Sequence, residues 1–128
     1  MRKIRIALLC VCNLLASNAF SSTEHLFTQG RAIEYELPSN DPQIFSNIFF
    51  WKIQATCTII SDNVGSPITA KMLRKTGAIN DMPMATGDSI ALVVQPGDKL
   101  YITADSGAKV EMVNLGEKKI VASCAATT

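Results

Sequence analysis

Alternating apolar and polar positions mark one long strand in the middle of the chain. Every second residue from position 49 to position 59 is apolar, and from Lys52 onward the residues in between are polar. Strand side chains point to opposite faces in turn, so this alternation predicts a strand over residues 48–60 with one buried and one solvated face. The predicted buried face consists of Phe49, Trp51, Ile53, Ala55, Cys57 and Ile59. The pattern therefore places the only tryptophan in the core.

The same alternation recurs in shorter segments on both sides of this strand. Residues 30–37 put three apolar residues on one face and two glutamates on the other, which predicts a half-buried strand near a sheet edge. From Gly87 onward, glycines in turn-like settings recur every nine or ten residues. The segments between them predict strands over residues 89–95, 99–104, 108–113 and 118–124. Short strands separated by regular turns are typical of an antiparallel sandwich or barrel.

Residues 66–75 are compatible with two structures. A serine and a proline at the start, with Gly77 beyond the end, suit a short helix. The apolar residues of this segment also alternate with polar ones, and the surrounding β pattern favours a strand. Together the segments predict an all-β fold, an antiparallel two-sheet sandwich of about seven strands in the immunoglobulin-like or jelly-roll style. Trp51 precedes Cys57, whereas antibody domains have the reverse order, so the prediction concerns architecture only.

The first residues of the chain predict export. Three basic residues precede a short apolar run over residues 6–15, and small residues follow up to Ala19. This order is that of a secretory signal peptide, so residues 1–19 are predicted to be removed. The apolar run is too short for a spanning helix, and no later stretch is long enough for one. Lipidation at Cys10 or Cys12 is the alternative, although neither follows a convincing small-residue lipidation site.

Cleavage after Ala19 leaves one domain of ordinary size, with residues 20–29 as a flexible N-terminus and residues 30–128 as the sandwich. Cys57 and Cys124 are then the only cysteines, and an even pair in an exported domain predicts a disulfide. Both lie on apolar faces of predicted strands, as a buried cross-sheet bridge requires. The localisation expected from these features is periplasmic, outer-membrane-associated or secreted.

Charge and residue chemistry argue against several functional classes. Removal of the signal peptide leaves nine of the 12 basic residues against 11 acidic ones, without the clustered basic excess that nucleic-acid binding needs. His25 is the only histidine and falls in the predicted flexible N-terminus, so a nucleophile with an oriented base is not expected. The aspartates fall mostly in turns, and no acidic loop has the ligand spacing of a calcium site. We therefore predict no enzyme, no cofactor and no metal.

Large apolar residues on the predicted outer faces form the candidate interface. A contiguous set of such residues marks a protein contact surface, with other cell-envelope proteins or an oligomeric assembly as partners. The candidate residues are Phe50, Leu73, Val93, Tyr101 and Val113. The alternative is a binding module for carbohydrate or peptide, which would need a concave site lined by aromatic residues. Tyr35, Trp51 and Tyr101 are the residues available for such a site.

Three segments resemble small exported proteins of Legionella-type bacteria, a group that includes accessory subunits of the outer-membrane core complex of the Dot/Icm type IVB secretion system. They are FFWKIQATC at residues 49–57, GDSIALVVQPGDKLYITADSGAKVEMVN at residues 87–114 and IVASC at residues 120–124. The resemblance rests on strand and turn patterns. It implies a periplasm-facing structural protein that docks into a large assembly and has no catalytic residues. The chain lacks the lipobox of the lipoprotein subunits of that system, which leaves its membrane attachment open.

Overall fold

The computed structural model describes residues 23–26 and 31–127, and these residues form two β-sheets packed together. The described residues contain eleven strands and no helix. The strands are β1 (Thr23–Leu26), β2 (Ile33–Leu37), β3 (Gln43–Ser46), β4 (Ile53–Ile59), β5 (Ser66–Arg74), β6 (Gly77–Ile79), β7 (Met82–Met84), β8 (Ser89–Val94), β9 (Lys99–Ala104), β10 (Lys109–Asn114) and β11 (Ile120–Thr127). The predicted all-β sandwich is confirmed, whereas the count of about seven strands is wrong. The four unpredicted strands, β1, β3, β6 and β7, are each three or four residues long.

Two sheets make up the sandwich. Sheet A has five strands in the order β1-β3-β10-β5-β8, and sheet B has six in the order β2-β11-β4-β9-β6-β7. All pairings between these eleven strands are antiparallel except that of β1 with β3, which is parallel. The edge strands are therefore β1 and β8 in sheet A, and β2 and β7 in sheet B.

The core lies between the sheets and follows the alternation of the sequence. Alternate residues of β4 from Ile53 to Ile59 are each at most 4% exposed, and the residues between them face solvent or are half-buried. The strand interpretation of residues 66–75 is confirmed, because β5 buries alternate side chains such as Ile68 and Met72 on the inner face of sheet A. Strand β2 lies at the edge of sheet B, as predicted.

The predicted disulfide between Cys57 and Cys124 is confirmed, but it does not join the two sheets. The two cysteines are direct partners in the pairing of β4 with β11, and their Cα atoms are 4.0 Å apart. Both side chains are buried on the inner face of sheet B. The expectation of a cross-sheet bridge was wrong because the sequence does not reveal that the last strand lies beside β4. The bridge ties the end of the chain to the middle of sheet B.

The strand predicted over residues 48–60 begins only at Ile53, and Trp51 does not lie in the core. The tryptophan side chain is 45% exposed. Residues 47–52 instead form a loop, whose first residue, Asn47, is buried. The alternation continues through this loop by coincidence, since Phe49 alone of its apolar residues packs partly against the core.

Residues 20–29 were predicted to be a flexible N-terminus, but within them Thr23–Leu26 forms β1 at the edge of sheet A. The His25 ring stacks on Phe45 with ring centroids 5.1 Å apart, and its Nε2 lies 2.8 Å from Oε1 of Gln43. Tyr35 meets both rings edge-on, and burial raises the pKa of its hydroxyl. These contacts fix β1 across the edges of both sheets. The predicted signal peptide and residues 20–22 and 27–30 lie outside the described residues.

Candidate functional site: an exposed aromatic loop

The connection between β3 and β4, residues 47–52, is a short loop closed by the side chain of Asn47; we refer to it as the aromatic loop. The Asn47 Oδ1 accepts the backbone N–H of Phe49 at 2.9 Å, and its Nδ2 donates to the carbonyl oxygen of Trp51, also at 2.9 Å. Asparagine commonly closes turns in this way, by bonding the backbone two residues on. The loop therefore has a defined conformation of its own.

The aromatic loop is also attached to the turn between β9 and β10. Nδ2 of Asn47 donates to the carbonyl oxygens of Ala104 and Asp105, both at 3.1 Å, so its two N–H groups serve three carbonyls in all. The Ser106 hydroxyl donates to the carbonyl oxygen of Phe49 at 2.7 Å. The Asn47 backbone bonds the same turn, accepting from the N–H of Gly107 at 3.0 Å. Side chain and backbone of Asn47 are thus both satisfied in the interior.

Three large apolar side chains of this loop point into solvent. Phe50 is 92% exposed, Ile48 is 58% exposed and Trp51 is 45% exposed. The Phe49 and Trp51 rings stack with centroids 5.2 Å apart and an interplanar angle of 22°. Aromatic side chains clustered on a fixed backbone are the usual centre of a protein contact surface, because they bury much area for little loss of conformational freedom.

Few charged side chains surround the loop, and the ion pair that they form is weak. Lys52 follows the apolar residues, and its Nζ lies 3.8 Å from a carboxylate oxygen of Asp105. Both side chains are well exposed, at 64% and 38%, so water screens the pair and its contribution to stability is small. The site is therefore an apolar centre with a polar margin, which is the composition of protein interfaces.

A second buried asparagine, Asn114, closes a loop in the same way but without aromatic residues. Asn114 is 0% exposed, accepts the N–H of Gly116 at 2.8 Å and donates to the carbonyl oxygen of Lys118 at 2.7 Å. These are the same two relations, to the second and fourth residues after the asparagine, that Asn47 makes. The loop after Asn114 lies at the opposite end of the sandwich, and its sequence is Leu-Gly-Glu-Lys. A loop closed by these two hydrogen bonds therefore forms without aromatic residues, so Phe49, Phe50 and Trp51 are not explained by the loop conformation.

The structure does not bring the five predicted interface residues together. Phe50 lies on the aromatic loop, while Tyr101 is 55% exposed on the outer face of sheet B. Leu73, Val93 and Val113 lie on the outer face of sheet A, and only Val93 of these three is strongly exposed. The sequence interpretation missed Ile48 and assigned Trp51 to the core. Four consecutive apolar residues after an asparagine, with no polar residue between them, were the available signal.

Other chemistry is sparse in the part of the chain that the structure describes. Residues 23–26 and 31–127 contain no group of three or more His, Cys, Asp or Glu side chains that could hold a metal ion. An apolar cavity of about 30 Å³ lies beside the disulfide, between Tyr35 and Leu100. It has room for a molecule the size of water, far below the volume of a ligand pocket.

Comparisons of the chain with protein-family models, curated proteins and solved structures gave no match. Within the described residues, no helix has the length and apolar character needed to cross a membrane.

Proposed function

We propose that the protein is a non-enzymatic structural or adaptor protein of the bacterial cell envelope, and that the aromatic loop docks it to a partner protein. The exposure of Phe50, at 92% on a loop held by four side-chain hydrogen bonds of Asn47, carries the proposal. A fixed loop loses little conformational entropy on binding, so its apolar area contributes more fully to affinity. The buried disulfide is compatible with an oxidising compartment.

The shape of the site favours a protein as the ligand. Phe50 projects from the end of the sandwich, so the complementary surface is an apolar pocket on the partner. The resemblance to accessory subunits of the type IVB outer-membrane core complex supports an envelope assembly as that partner. The predicted signal peptide supports the same compartment.

The second candidate function is a carbohydrate-binding module, favoured by the exposure of Trp51. This ring is partly exposed and stacked on Phe49, and aromatic faces of this kind can also stack on sugars. Trp51 is the only tryptophan, so its fluorescence reports directly on the loop. Titration with cell-wall glycans should change this fluorescence if the second function holds, and should leave it unchanged if the loop docks to protein.

Photo-crosslinking tests the docking function. A photo-crosslinking residue is placed at position 50, and the tagged protein is recovered from its own bacterium after crosslinking. The affinity tag belongs in the β8–β9 turn near Gly97, because Thr127 pairs with Gln54 and a C-terminal tag would sit beside the loop. We expect position 50 to crosslink to one envelope protein at fixed stoichiometry. Leu115, which is 50% exposed on the loop held by Asn114, is the matched control position and should not crosslink to it.

Substitutions at the same two positions complete the test. Phe50→Ser should release the protein from the envelope assembly, whereas Leu115→Ser should leave it bound, since each loop is closed by a buried asparagine and the two differ in their exposed side chains. A wild-type protein that runs as a small lone species after gentle solubilisation would contradict the docking function. So would a Phe50→Ser variant that stays with the assembly as firmly as the Leu115→Ser variant.

A further inference from the structure

The four edge strands of the sandwich differ in how they are protected against pairing with another chain. Natural edge strands carry charges or proline, or are very short, because an open edge would otherwise bind a further strand. Strand β1 has four residues and carries Glu24, β2 carries Glu34 and Glu36, and β7 has three residues with Pro83 in the middle. Strand β8 has six residues, Ser-Ile-Ala-Leu-Val-Val, without charge, proline or glycine. It is the one edge among the described strands that lacks all of these protections.

The hydrogen bonds around β5 show which backbone groups of β8 face outward. The N–H of Met72 donates to the carbonyl oxygen of Asp88 at 2.9 Å, so the even-numbered residues of β5 bond toward β8. The N–H of Leu115 donates to the carbonyl oxygen of Pro67, also at 2.9 Å, so the odd-numbered residues bond toward β10. In an antiparallel pair, alternate residues of a strand bond to opposite sides.

The pairing of Ala70 with Ile90 then fixes the outward set of β8. Ile90, Leu92 and Val94 bond toward β5, while Ser89, Ala91 and Val93 direct their N–H and C=O groups away from the sheet. In the described residues, no strand pairs with this side of β8. The edge thus offers a regular row of backbone donors and acceptors that a further strand would satisfy.

We infer that β8 pairs antiparallel with β8 of a second copy of this chain, joining the two five-stranded sheets into one of ten strands. A two-fold axis at Ala91 sets Ala91 against Ala91 of the second copy and Ser89 against Val93. On the inner face, Ile90 meets Leu92 of the second copy. Both Ile90 and Leu92 are half-buried in the single chain and pack against its core, so pairing buries them further.

Charge favours a second copy as the occupant of this edge. The acidic residue next to β8, Asp88, falls opposite Val94 of the second copy, so no like charges meet. The same operation on β2, with the axis at Tyr35, would set Glu34 against Glu36 and is disfavoured. The β8 edge is therefore self-complementary, whereas the β2 edge repels its own copy. This inference does not depend on the aromatic loop or on its partner.

Sedimentation velocity over a series of protein concentrations tests the pairing. We expect a monomer–dimer equilibrium for the wild type, and a dissociation constant at least about tenfold higher for Ala91→Lys, since the two lysines face each other across the axis. Thr56→Lys is the matched control, because Thr56 is exposed on β4 in the interior of sheet B. This control should dimerise like the wild type.

Cysteine crosslinking tests the register of the pair. Ala91→Cys alone should form a disulfide-linked dimer under mild oxidation, because the two positions face each other on the axis. Val93→Cys alone should not, but a mixture of Val93→Cys and Ser89→Cys chains should link. A wild-type chain that stays monomeric at all concentrations, or an Ala91→Lys variant that dimerises as well as the wild type, would overturn the inference. Equal crosslinking of Ala91→Cys and Val93→Cys alone would overturn the register.

Discussion

Replacement of Asn47 by alanine separates the role of the loop backbone from that of its aromatic side chains. The change removes an acceptor for one backbone N–H and the donors for three carbonyl oxygens, those of Trp51, Ala104 and Asp105. A hydrogen bond of this kind contributes about 0.5–1.5 kcal/mol net, and a buried polar group left unpaired costs about 1–3 kcal/mol. Water can reach part of the loop, so we expect the free energy of unfolding to fall by about 2–4 kcal/mol. A domain with about 5–15 kcal/mol of stability survives this loss and can be studied folded.

Two measurements follow the Asn47→Ala change: urea unfolding of the domain and quenching of the Trp51 fluorescence. Urea unfolding should show a lower midpoint with an unchanged slope, because the surface exposed on unfolding stays nearly the same. Acrylamide should quench the fluorescence of Trp51 more strongly in this variant, because the Trp51 carbonyl is no longer held and the stacked Phe49 and Trp51 rings can separate. The emission reports on this loop alone, because the chain has no other tryptophan.

Asn114→Ala is the matched control for this variant. It removes bonds to Leu37, Gly116 and Lys118 from a buried asparagine at the other end of the sandwich. We expect a comparable loss of stability with unchanged quenching of Trp51. A loss below about 0.5 kcal/mol for Asn47→Ala, which is typical of a surface substitution, would refute the structural role assigned to Asn47. Unchanged quenching in that variant would refute the claim that Asn47 fixes the aromatic rings.

Three further changes probe other parts of the molecule. Cys57→Ser should lower the free energy of unfolding by about 4 kcal/mol, measured by urea unfolding with and without reductant, because the bridge joins residues 67 positions apart. The Ser46 hydroxyl donates a hydrogen bond to the Glu24 carboxylate and, together with Lys109, lowers its pKa. This carboxylate should therefore stabilise β1 at pH values above the ordinary pKa of glutamate, and the stabilisation should be lost as the pH falls through the lowered pKa. Hydrogen exchange of β1 should show this pH dependence in the wild type and lose it in Glu24→Gln. Gly77→Ala should destabilise the β6–β9 pair by about 1–3 kcal/mol in thermal unfolding, since its Cβ would overlap the carbonyl oxygen of Thr103.

The parts of the fold that could be predicted from the sequence are those in which burial repeats every second residue. From Ile53 onward this local signal located the long strands, and it gave the two cysteines their common apolar setting. The four missed strands are too short for a period of two to be visible. The neighbour of each strand also depends on contacts far apart in sequence, which is why the bridge was expected to cross between the sheets.

The candidate site was harder to predict, because its support is entirely tertiary. Residues 49 and 51 continue the alternation of β4, so a local pattern cannot distinguish this loop from a strand. Asn47 decides the structure through contacts with a turn almost sixty residues away, at Ala104 and Asp105. Such contacts leave no periodic signal in the chain. An uninterrupted apolar run after a turn-forming residue was the one local indication.

The aromatic loop and the β8 edge both depart from what a small monomeric domain needs for stability and solubility. Departures of this kind are expected where a surface serves binding, since exposed apolar side chains and open edges otherwise promote aggregation. The two surfaces share no residue, since one uses side chains of residues 47–52 and the other uses the backbone of Ser89–Val94. A dimer joined through β8 would carry two copies of Phe50 and could hold a repetitive envelope assembly at two points. Its apparent affinity would then exceed that of one loop, and Ala91→Lys would weaken attachment without changing the loop itself.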